Sequence, residues 1–326
     1  MAWARADDGV RLHYEALGPR RAPAVLMIQG LGADKHLWDL QRIALARRYR
    51  VVALDNRGAG RSDKPFGHYS LQQMAGDAIA VLDHAGIDRA HVVGASMGGA
   101  ISQVLAIDHP HRVASLTLAC TACRNHDWRR ELLLGWADVA TERGVAAMTR
   151  EAARWMIGPR SFRRLLPAFG ALGPLALGRA AHALVSQVHA ILAADEAYAD
   201  RLAEVRVPAL VLVGNQDILT PRGDSEEIAE RLPDAELVVI SGAAHGFMVE
   251  HATTFNRVLL DFLARVVAEQ RAGDDTIAAG DDGDSGSDQA GRDVVSIADA
   301  PTRRRSASTS ASTAAASAAS SSARRA

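Results

Sequence analysis

The hydrophobic and polar positions of this chain follow two patterns that alternate along it. Short continuous apolar runs, typical of strands buried on both faces of a sheet, occur at 24–28, 51–54, 91–95, 113–119, 209–213 and 236–240. Weak alternation predicts a first strand at 10–17. Helical periodicity follows most of these runs, at 38–47, 71–85, 97–109, 221–232 and 248–270. Strands alternating with helices predict an α/β fold with a mostly parallel sheet and helices on both faces.

One long segment, 124–204, breaks this alternation. It has no strand pattern, and prolines and glycines between 159 and 178 divide it into short helices. Such a length is too great for a plain connection inside a compact domain. We interpret the segment as a helical cap over the strand ends, inserted between two parts of a core at 1–123 and 205–270. The alternative is an extra helical layer with no role at the site.

The last segment, 271–326, has a different composition. Its first half is rich in Asp, Gly and Ser, and its second half consists largely of Ala, Ser and Thr with two arginine clusters. Few apolar side chains are present there to offset the entropy of ordering, so the segment is predicted to be a disordered low-complexity tail.

Charge and hydropathy exclude some classes of partner. The formal net charge of −1 over 326 residues gives no basic excess for binding nucleic acid or an anionic membrane. The N-terminus has no apolar core of signal-peptide length, and no run approaches the roughly 18 apolar residues of a membrane span. We therefore expect a cytoplasmic protein, whose oligomeric state the sequence leaves open.

A Gly-x-Ser-x-Gly stretch at Gly94, Ser96 and Gly98 lies between a predicted strand and a predicted helix. This arrangement is typical of a nucleophile elbow, in which the serine is held at a sharp turn with strained backbone angles. The flanking glycines allow close approach of strand and helix. The N-terminus of the following helix favours negative charge beside the serine.

A serine hydroxyl needs a base within hydrogen-bond reach, and the base needs an acid to orient it. His245 follows the last predicted strand in a loop of small residues. Candidate acids at the same sheet edge are Asp217, Asp55 and Asp63, of which Asp217 ends a tight turn after the strand that follows the cap. The order Ser96, Asp217, His245, each just past a strand end, is the order of the hydrolase nucleophile-elbow fold.

The negative charge formed during acyl transfer needs preorganised N–H donors. We assign the backbone N–H groups of Met97, directly after the serine, and of Leu31, in a glycine-containing loop after an early strand. Gly30 in that loop is expected to approach the substrate, and Trp38 is expected to line the pocket or, alternatively, to belong to the core of its helix. Asp55 and Arg57 are more simply explained as holding their own loop together.

The two cysteines, Cys120 and Cys123, have Cys-x-x-Cys spacing. A zinc site would need two further ligands, and no suitably spaced histidine pair is near them. A redox pair would be expected at the start of a helix after the first strand–helix unit. We interpret them as small residues at the end of a buried strand.

The motifs together resemble the α/β-hydrolase superfamily over nearly all of 10–270. The resemblance is carried by Gln29-Gly30-Leu31-Gly32, where most members have His-Gly first, by Asp55-x-Arg57-Gly58-x-Gly60-x-Ser62, by Gly94-x-Ser96-Met97-Gly98-Gly99, by Gly214-x-x-Asp217 and by Gly242-x-x-His245. The second and third motifs are most similar to the β-ketoadipate enol-lactonase and small-carboxylesterase branch. The resemblance implies an α/β-hydrolase fold with an inserted helical cap.

Three functional hypotheses follow. The first is a serine hydrolase that cleaves small carboxylic esters or lactones through an acyl-enzyme on Ser96, with no cofactor or metal. The second retains the triad in a C–C bond hydrolase or a cofactor-free perhydrolase, although 30–33 lacks the Gly-Pro-Gly loop typical of the C–C hydrolases. The third is a ligand receptor without turnover, against which the intact triad argues.

Overall fold

The computed structural model describes residues 2–158, 180–194, 197–279 and 294–297. Within these ranges nine strands form a single sheet. The strands are β1 (Ala2–Arg5), β2 (Arg11–Leu17), β3 (Ala24–Ile28), β4 (Arg50–Leu54), β5 (Ala90–Ala95), β6 (Val113–Ala119), β7 (Ala209–Gly214), β8 (Ala235–Ile240) and β9 (Val294–Ile297). The seven predicted strands are all present, each within one or two residues of its predicted bounds, and β1 and β9 are additional.

The sheet order is β1-β2-β4-β3-β5-β6-β7-β8-β9. Pairing is antiparallel between β1 and β2 and between β2 and β4, and parallel from β4 to β9. Parallel strands present their carboxyl ends at one edge, so the loops that follow β3, β5, β7 and β8 meet there. This edge positions the candidate site.

Helices cover both faces of the sheet, as predicted. They are α1 (Asp39–Leu45), α2 (Leu71–His84), α3 (Met97–Asp108), α4 (Asp127–Arg143), α5 (Val145–Met156), α6 (Ala181–Leu192), α7 (Ala197–Arg201), α8 (Arg222–Arg231), α9 (Phe247–Glu250) and α10 (Ala252–Ala279). Single 3-10 turns occur at Lys35–Trp38, Pro110–Arg112 and Leu202–Glu204. Helices α2, α3 and α8 pack in the core on one face, and α1 and α10 pack on the other.

The start of α2 illustrates how local sequence sets an element. Ser70, in extended conformation, accepts a hydrogen bond from the backbone N–H of Gln73 through its side chain, which satisfies one of the unpaired donors of the first turn. Gly86 follows the helix with a positive φ of 63°, a conformation that ends helices at little cost for glycine. Both ends agree with the predicted bounds.

The cap is formed by α4 to α7, between β6 and β7. Its helices enclose a small apolar cluster of their own, which includes Leu133, Trp136 and Met148 and is joined by Leu219 from the loop after β7. The prolines and glycines predicted to divide the cap between 159 and 178 lie outside the described residues. Helix α4, at 17 residues, is longer than the predicted short helices.

The predicted disorder of 271–326 needs correction in two places. The closing helix continues to Ala279, nine residues past the predicted end at 270. Val294–Ile297 pairs with β8 in parallel and extends the sheet. The apolar, mostly β-branched run Val-Val-Ser-Ile has a high strand propensity, and the edge of β8 offers unpaired backbone groups to receive it. The other residues of this segment lie outside the described part of the chain.

Across the ranges that the structure describes, none of the helices combines the length and the apolar character needed to cross a membrane.

Candidate active site

Ser96 occupies the sharp turn between β5 and α3. Its φ of 54° and ψ of −121° lie outside the regions that a non-glycine residue ordinarily adopts, and such strain is found where a side chain must be presented in a fixed direction. The residues on either side of it are buried, whereas Ser96 is partly exposed and lines a cavity. The turn therefore lifts the hydroxyl clear of the sheet.

The flanking glycines explain how this turn can close. A Cβ at Gly94 would collide with the backbone carbonyl of Gly98, and a Cβ at Gly98 would collide with the carbonyl of Ile28 on β3. The helix therefore lies directly against two strands, as the predicted elbow requires.

His245 and Asp217 form a buried pair at the same sheet edge. The His245 Nδ1 atom lies 2.9 Å from Asp217 Oδ2, and both side chains are at most 1% exposed. When Nδ1 donates to the carboxylate, Nε2 is left as the acceptor nitrogen of the neutral ring. The Nε2 atom is buried and makes no hydrogen bond to any residue that the structure describes. His245 and Ser96 both line the cavity.

Hydrogen bonds between two loops place the acid beside the base. The N–H of Gln216 donates to the carbonyl of Ala243 at 2.8 Å, and the N–H of Gly242 donates to Asn215 Oδ1 at 2.7 Å. The N–H of Asp217 in turn donates to the carbonyl of Gly214 at 3.1 Å. The loops after β7 and β8 are thereby fixed to each other.

Thr220 is a further contact of this pair that sequence reasoning did not find. Its Oγ1 donates to Asp217 Oδ2 at 2.9 Å and lies 3.2 Å from His245 Nδ1. The backbone N–H groups of Leu219 and Thr220 both donate to Asp217 Oδ1 at 2.9 Å. The carboxylate is therefore held on both oxygens, in an Asx-type turn closed by its own side chain.

The loop after β3 passes directly over Ser96. A Cβ at Gly30 would lie 3.1 Å from the Cβ of Ser96, so the backbone approaches the serine as expected. The N–H of Gly30 donates to Gln29 Oε1 at 2.8 Å, and the N–H of Ala33 donates to the carbonyl of Gly30 at 3.2 Å. The intervening Leu31 N–H has no acceptor in the described part of the chain.

The other predicted donor is the N–H of Met97, the first residue of α3. The Ser96 N–H is already committed to the carbonyl of Ala119 at 2.9 Å, and within the described ranges no acceptor faces the Met97 N–H. Met97 also lines the cavity together with Leu31. Both predicted donors are therefore uncommitted, whereas the N–H groups of Gly30 and Ser96, directly before them in the chain, already have acceptors.

The expectation that Trp38 lines the pocket is corrected. The side chain is fully buried and packs against Phe255 of α10, with ring centroids 6.0 Å apart. Its neighbour Leu37 is among the cavity residues instead. The short helical turn at Lys35–Trp38 points successive side chains in different directions, and the tryptophan faces the core between the sheet and α10.

Asp55 contacts its own loop, as interpreted from the sequence, whereas the Arg57 side chain ties that loop to α2 and to the N-terminal residues. Asp55 accepts hydrogen bonds from the N–H groups of Lys35 and Arg61 and from His13. Burial would raise the pKa of Asp55, but these backbone donors hold it below its usual range. Arg57 makes a two-pronged contact to Asp77 at 2.6 Å.

The third candidate acid, Asp63, pairs with Arg11 near the surface.

The cavity at the strand ends has a volume of about 400 Å³ and is bounded by the elbow, the loop after β3 and the cap. Its described walls are mainly apolar and include Leu71, Val104, Leu133, Trp136, Met148, Ile157 and Leu219. The two lining arginines are already paired: Arg124 with Asp200 and Glu227, and Arg129 with Asp224.

Both cysteines are free thiols. Burial raises the pKa of Cys123 to about 12 and raises the pKa of Cys120 well above its usual value. A protonated thiol is neither a strong nucleophile nor a metal ligand, which agrees with the structural interpretation of the pair.

Comparisons with known proteins show which family this chain belongs to. A family model described as the alpha/beta hydrolase fold matches residues 23–146, and one described as TAP-like protein matches 188–275. The chain is 31% identical to a candidate carbamate hydrolase, RutD, of Azorhizobium caulinodans, over 82% of this chain and 99% of that protein.

Enol-lactonases are also among the relatives, which confirms the predicted similarity. The 3-oxoadipate enol-lactonase 2 of Acinetobacter baylyi is 30% identical over 77% of this chain and 92% of its own. The crystal structure of the enol-lactonase from Burkholderia xenovorans LB400 superposes with a TM-score of 0.76, at 29% identity, covering 81% of this chain and all of that one. The chain belongs to the α/β-hydrolase fold family.

Proposed function

We propose that this protein is a serine hydrolase that cleaves carboxylic esters or lactones through an acyl-enzyme on Ser96. One observation carries the proposal. A serine held at a strained turn lines the same cavity as a histidine whose Nδ1 is bonded to a buried aspartate and whose Nε2 has no described partner. This is the arrangement of groups that nucleophilic acyl transfer requires.

Acylation uses these groups in turn. The Ser96 Oγ attacks the substrate carbonyl carbon while its proton passes to His245 Nε2. Asp217 keeps the proton on Nδ1 and stabilises the imidazolium that forms. The carbonyl oxygen becomes an oxyanion, which the uncommitted N–H groups of Leu31 and Met97 bind. The C–O bond to the leaving alcohol then breaks as His245 returns the proton to its oxygen.

Deacylation repeats the chemistry with water. His245 Nε2 takes a proton from a water molecule, which attacks the acyl carbon, and the same N–H groups bind the second oxyanion. Collapse of this intermediate releases the carboxylic acid and returns the proton to Ser96 Oγ. In a lactone the alcohol and the acid belong to one molecule, so a single hydroxy acid leaves.

The apolar walls support a substrate with an apolar acyl or alcohol group. Burial of each methylene contributes about 0.8 kcal/mol, and Leu133, Trp136 and Met148 offer such a surface. Since the lining Arg129 is occupied by Asp224, it is not available as a counter-ion for a substrate carboxylate. We therefore propose uncharged esters or lactones of medium chain length.

The test is a substrate panel run on the wild type and on Ser96→Ala. The panel contains p-nitrophenyl esters with acyl chains of increasing length, γ- and δ-lactones and an aryl carbamate. We expect ester or lactone turnover by the wild type, loss of about 10³-fold or more in the variant, and labelling of the wild type alone by a fluorophosphonate.

A matched control is Ser225→Ala. Ser225 lies on α8, is fully buried, and its hydroxyl has no hydrogen-bond partner in the ranges described. Its loss should leave turnover and labelling unchanged. Retention of wild-type turnover by Ser96→Ala would disprove the proposal, and so would a wild type that resists the fluorophosphonate.

A further inference from the structure

Gln187, on α6 of the cap, reaches out of the cap to the loop that follows β3. The side chain is fully buried. Its Oε1 accepts a hydrogen bond from the N–H of Gly32 at 2.7 Å, and its Nε2 donates to the carbonyl of Arg57 at 2.7 Å. One amide thus joins the cap to two core loops that lie 25 residues apart in the chain.

The contact is close and leaves little room for another arrangement. A Cβ at Gly58 would lie 3.2 Å from Gln187 Nε2, so the loop backbone packs against the amide itself. Gln187 is absent from the described cavity lining and so does not touch a substrate bound there. Any influence on chemistry must pass through the backbone groups that it binds.

Gly32 is the position through which such an influence would act. Its N–H belongs to the planar peptide that joins Leu31 to Gly32, so a hydrogen bond to this N–H fixes one of the two peptide planes that flank Leu31. The other plane includes the carbonyl of Gly30, which accepts the N–H of Ala33. The Leu31 N–H lies in this second plane, and the φ and ψ angles of Leu31 set the orientation of that plane relative to the one that Gln187 holds.

In the described part of the chain, the turn that the Ala33 N–H closes on the Gly30 carbonyl is joined at Gly32 itself by the hydrogen bond from Gln187. Gly32 has a positive φ of 68° and no side chain, and a glycine visits many conformations unless its backbone is bonded. Without an acceptor, the buried N–H of Gly32 would also lose a hydrogen bond and tend to turn toward another partner.

We propose that Gln187 is a positioning residue for the oxyanion hole, which the N–H groups of Leu31 and Met97 form. It acts through Gly32 on the Leu31 N–H, so the hole is complete only when the cap is docked on the core. This inference rests on the proposed serine hydrolase function. It differs from a purely adhesive role, in which Gln187 holds the cap in place and affects the hole no more than any other cap contact does.

The chain offers a matched control for adhesion. Ser186, the preceding residue on α6, donates from Oγ to the carbonyl of Gly67 at 2.7 Å, another bond between cap and core. It touches neither the loop after β3 nor the cavity lining in the described ranges. Ser186→Ala therefore weakens the attachment of the cap without disturbing Gly32.

The experiment compares Gln187→Met, Gln187→Glu and Ser186→Ala in the full-length protein. Methionine has the length of glutamine but neither of its hydrogen-bonding groups. Loss of a whole oxyanion donor costs about 10²- to 10³-fold in kcat, so a displaced donor should cost Gln187→Met about 10- to 100-fold in kcat with KM changed less than about threefold. The rate of fluorophosphonate labelling should fall in proportion, because the phosphonyl oxygen occupies the hole.

Gln187→Glu tests rescue. The introduced carboxyl group accepts the Gly32 N–H as the amide does, and when it is protonated it can also donate to the Arg57 carbonyl. The ratio of its kcat to that of the wild type should therefore rise as the pH is lowered, whereas the ratio for Gln187→Met should stay flat. If circular dichroism shows that Gln187→Met is poorly folded, the pH dependence of Gln187→Glu still tests the inference.

The inference is overturned if both Gln187 variants keep kcat within twofold of the wild type, or if Ser186→Ala lowers kcat as much as Gln187→Met does. Failure of the proposed function itself looks different: the wild type would then show neither turnover nor labelling, and no oxyanion hole would exist for Gln187 to position.

Discussion

Thr220 donates a hydrogen bond from Oγ1 to Asp217 Oδ2 at 2.9 Å, on the same carboxylate oxygen that faces His245. The hydroxyl and the imidazole therefore share one acceptor in a buried setting. Hydrogen bonds to charged groups contribute about 1.5–3 kcal/mol, so this bond is strong enough to influence how the acid holds the base.

Thr220→Val removes the hydroxyl and keeps the shape of the side chain. We expect kcat for ester hydrolysis to fall about 10-fold with little change in KM, because the carboxylate gains freedom to turn away from His245 Nδ1. Thr220→Ser retains the hydroxyl and should recover most of the activity. Equal losses in the valine and serine variants would show that packing of the methyl group, and not the hydrogen bond, matters.

Asp217→Asn keeps the size of the side chain but lets it donate a hydrogen bond to His245 Nδ1 where the carboxylate accepts one. The amide NH₂ would donate to His245 Nδ1, which places the imidazole proton on Nε2 and removes the acceptor for the Ser96 proton. We expect a loss of about 10⁴-fold in kcat, the size of effect that a wrong tautomer produces in a Ser-His-Asp triad. Initial rates with a p-nitrophenyl ester measure this.

Asp63→Asn is the matched control for that variant, since Asp63 was the other candidate acid with an accessible loop position. It pairs with Arg11 at 2.9 Å near the surface, so its loss should leave kcat within about twofold. A comparable loss in both variants would point to general damage by removing negative charge, and would contradict a specific role for Asp217.

The positions of Ser96, Asp217 and His245 could be predicted because their signals are local. Each follows a buried apolar run, and parallel strands bring their carboxyl ends to one edge whatever the sequence between them. Chain order and turn chemistry were then enough to predict that residues up to 149 positions apart lie at the same edge of the sheet. No side-chain contact had to be inferred.

The contacts of Gln187 and Trp38 could not be predicted in this way. Gln187 meets Gly32 across 155 positions, and its place in a helical pattern says nothing about which loop lies opposite. The pattern around Trp38 indicates burial but not which face of the sheet receives the ring. In β9, by contrast, the apolar run Val294–Ile297 stood out in a polar segment and could have been noticed.

Arg129 and Asp224 form a buried ion pair that joins α4 of the cap to α8. Arg129 Nε also donates to the carbonyl of Leu219 at 2.9 Å, next to the turn that holds Asp217. Burial raises the pKa of Asp224, although Arg129 and His126 oppose the shift. Removing Arg129 leaves the Asp224 carboxylate buried with only the half-exposed His126, 3.4 Å away, beside it, and breaking a buried ion pair typically costs 3–5 kcal/mol.

Arg129→Met should therefore lower the free energy of unfolding by about 3 kcal/mol, measured by urea denaturation. The double variant with Asp224→Leu should be closer to the wild type than Arg129→Met alone, because no unpaired charge remains. Additive losses in the double variant would contradict the coupling of the two charges.

Trp136 contributes to the apolar wall of the cavity from α4. Trp136→Ala enlarges the cavity, so the ester with the highest kcat/KM should have a longer acyl chain than in the wild type. Each added methylene that becomes buried corresponds to about 0.8 kcal/mol, or about fourfold in kcat/KM. Trp128→Ala is the control, since Trp128 stacks on Trp155 away from the described lining. If the wild type, Trp136→Ala and Trp128→Ala all prefer the same acyl chain length, Trp136 does not limit the substrate in the cavity.

The buried His91, in β5, should make the folded state less stable as the pH falls below about 6.5. Its side chain is 3% exposed, and Nδ1 lies 2.8 Å from Ser115 Oγ. Burial, assisted by the nearby Arg89, lowers the pKa of His91 to about 4, whereas the unfolded chain has a value near 6.5. Between these values the unfolded state binds the proton more readily, so the stability that neutral His91 contributes is complete above about pH 6.5 and is lost as the pH falls toward 4.

His91→Asn retains a partner for Ser115 but cannot take up a proton. At about 1.4 kcal/mol per pKa unit, the wild type should lose about 3 kcal/mol more stability than the variant between pH 7 and pH 4. Urea denaturation of both proteins at several pH values measures the difference in free energy of unfolding. A difference that stays constant over this range would mean that His91 does not resist protonation in the folded state, because only a group whose proton affinity changes on folding can make stability depend on pH.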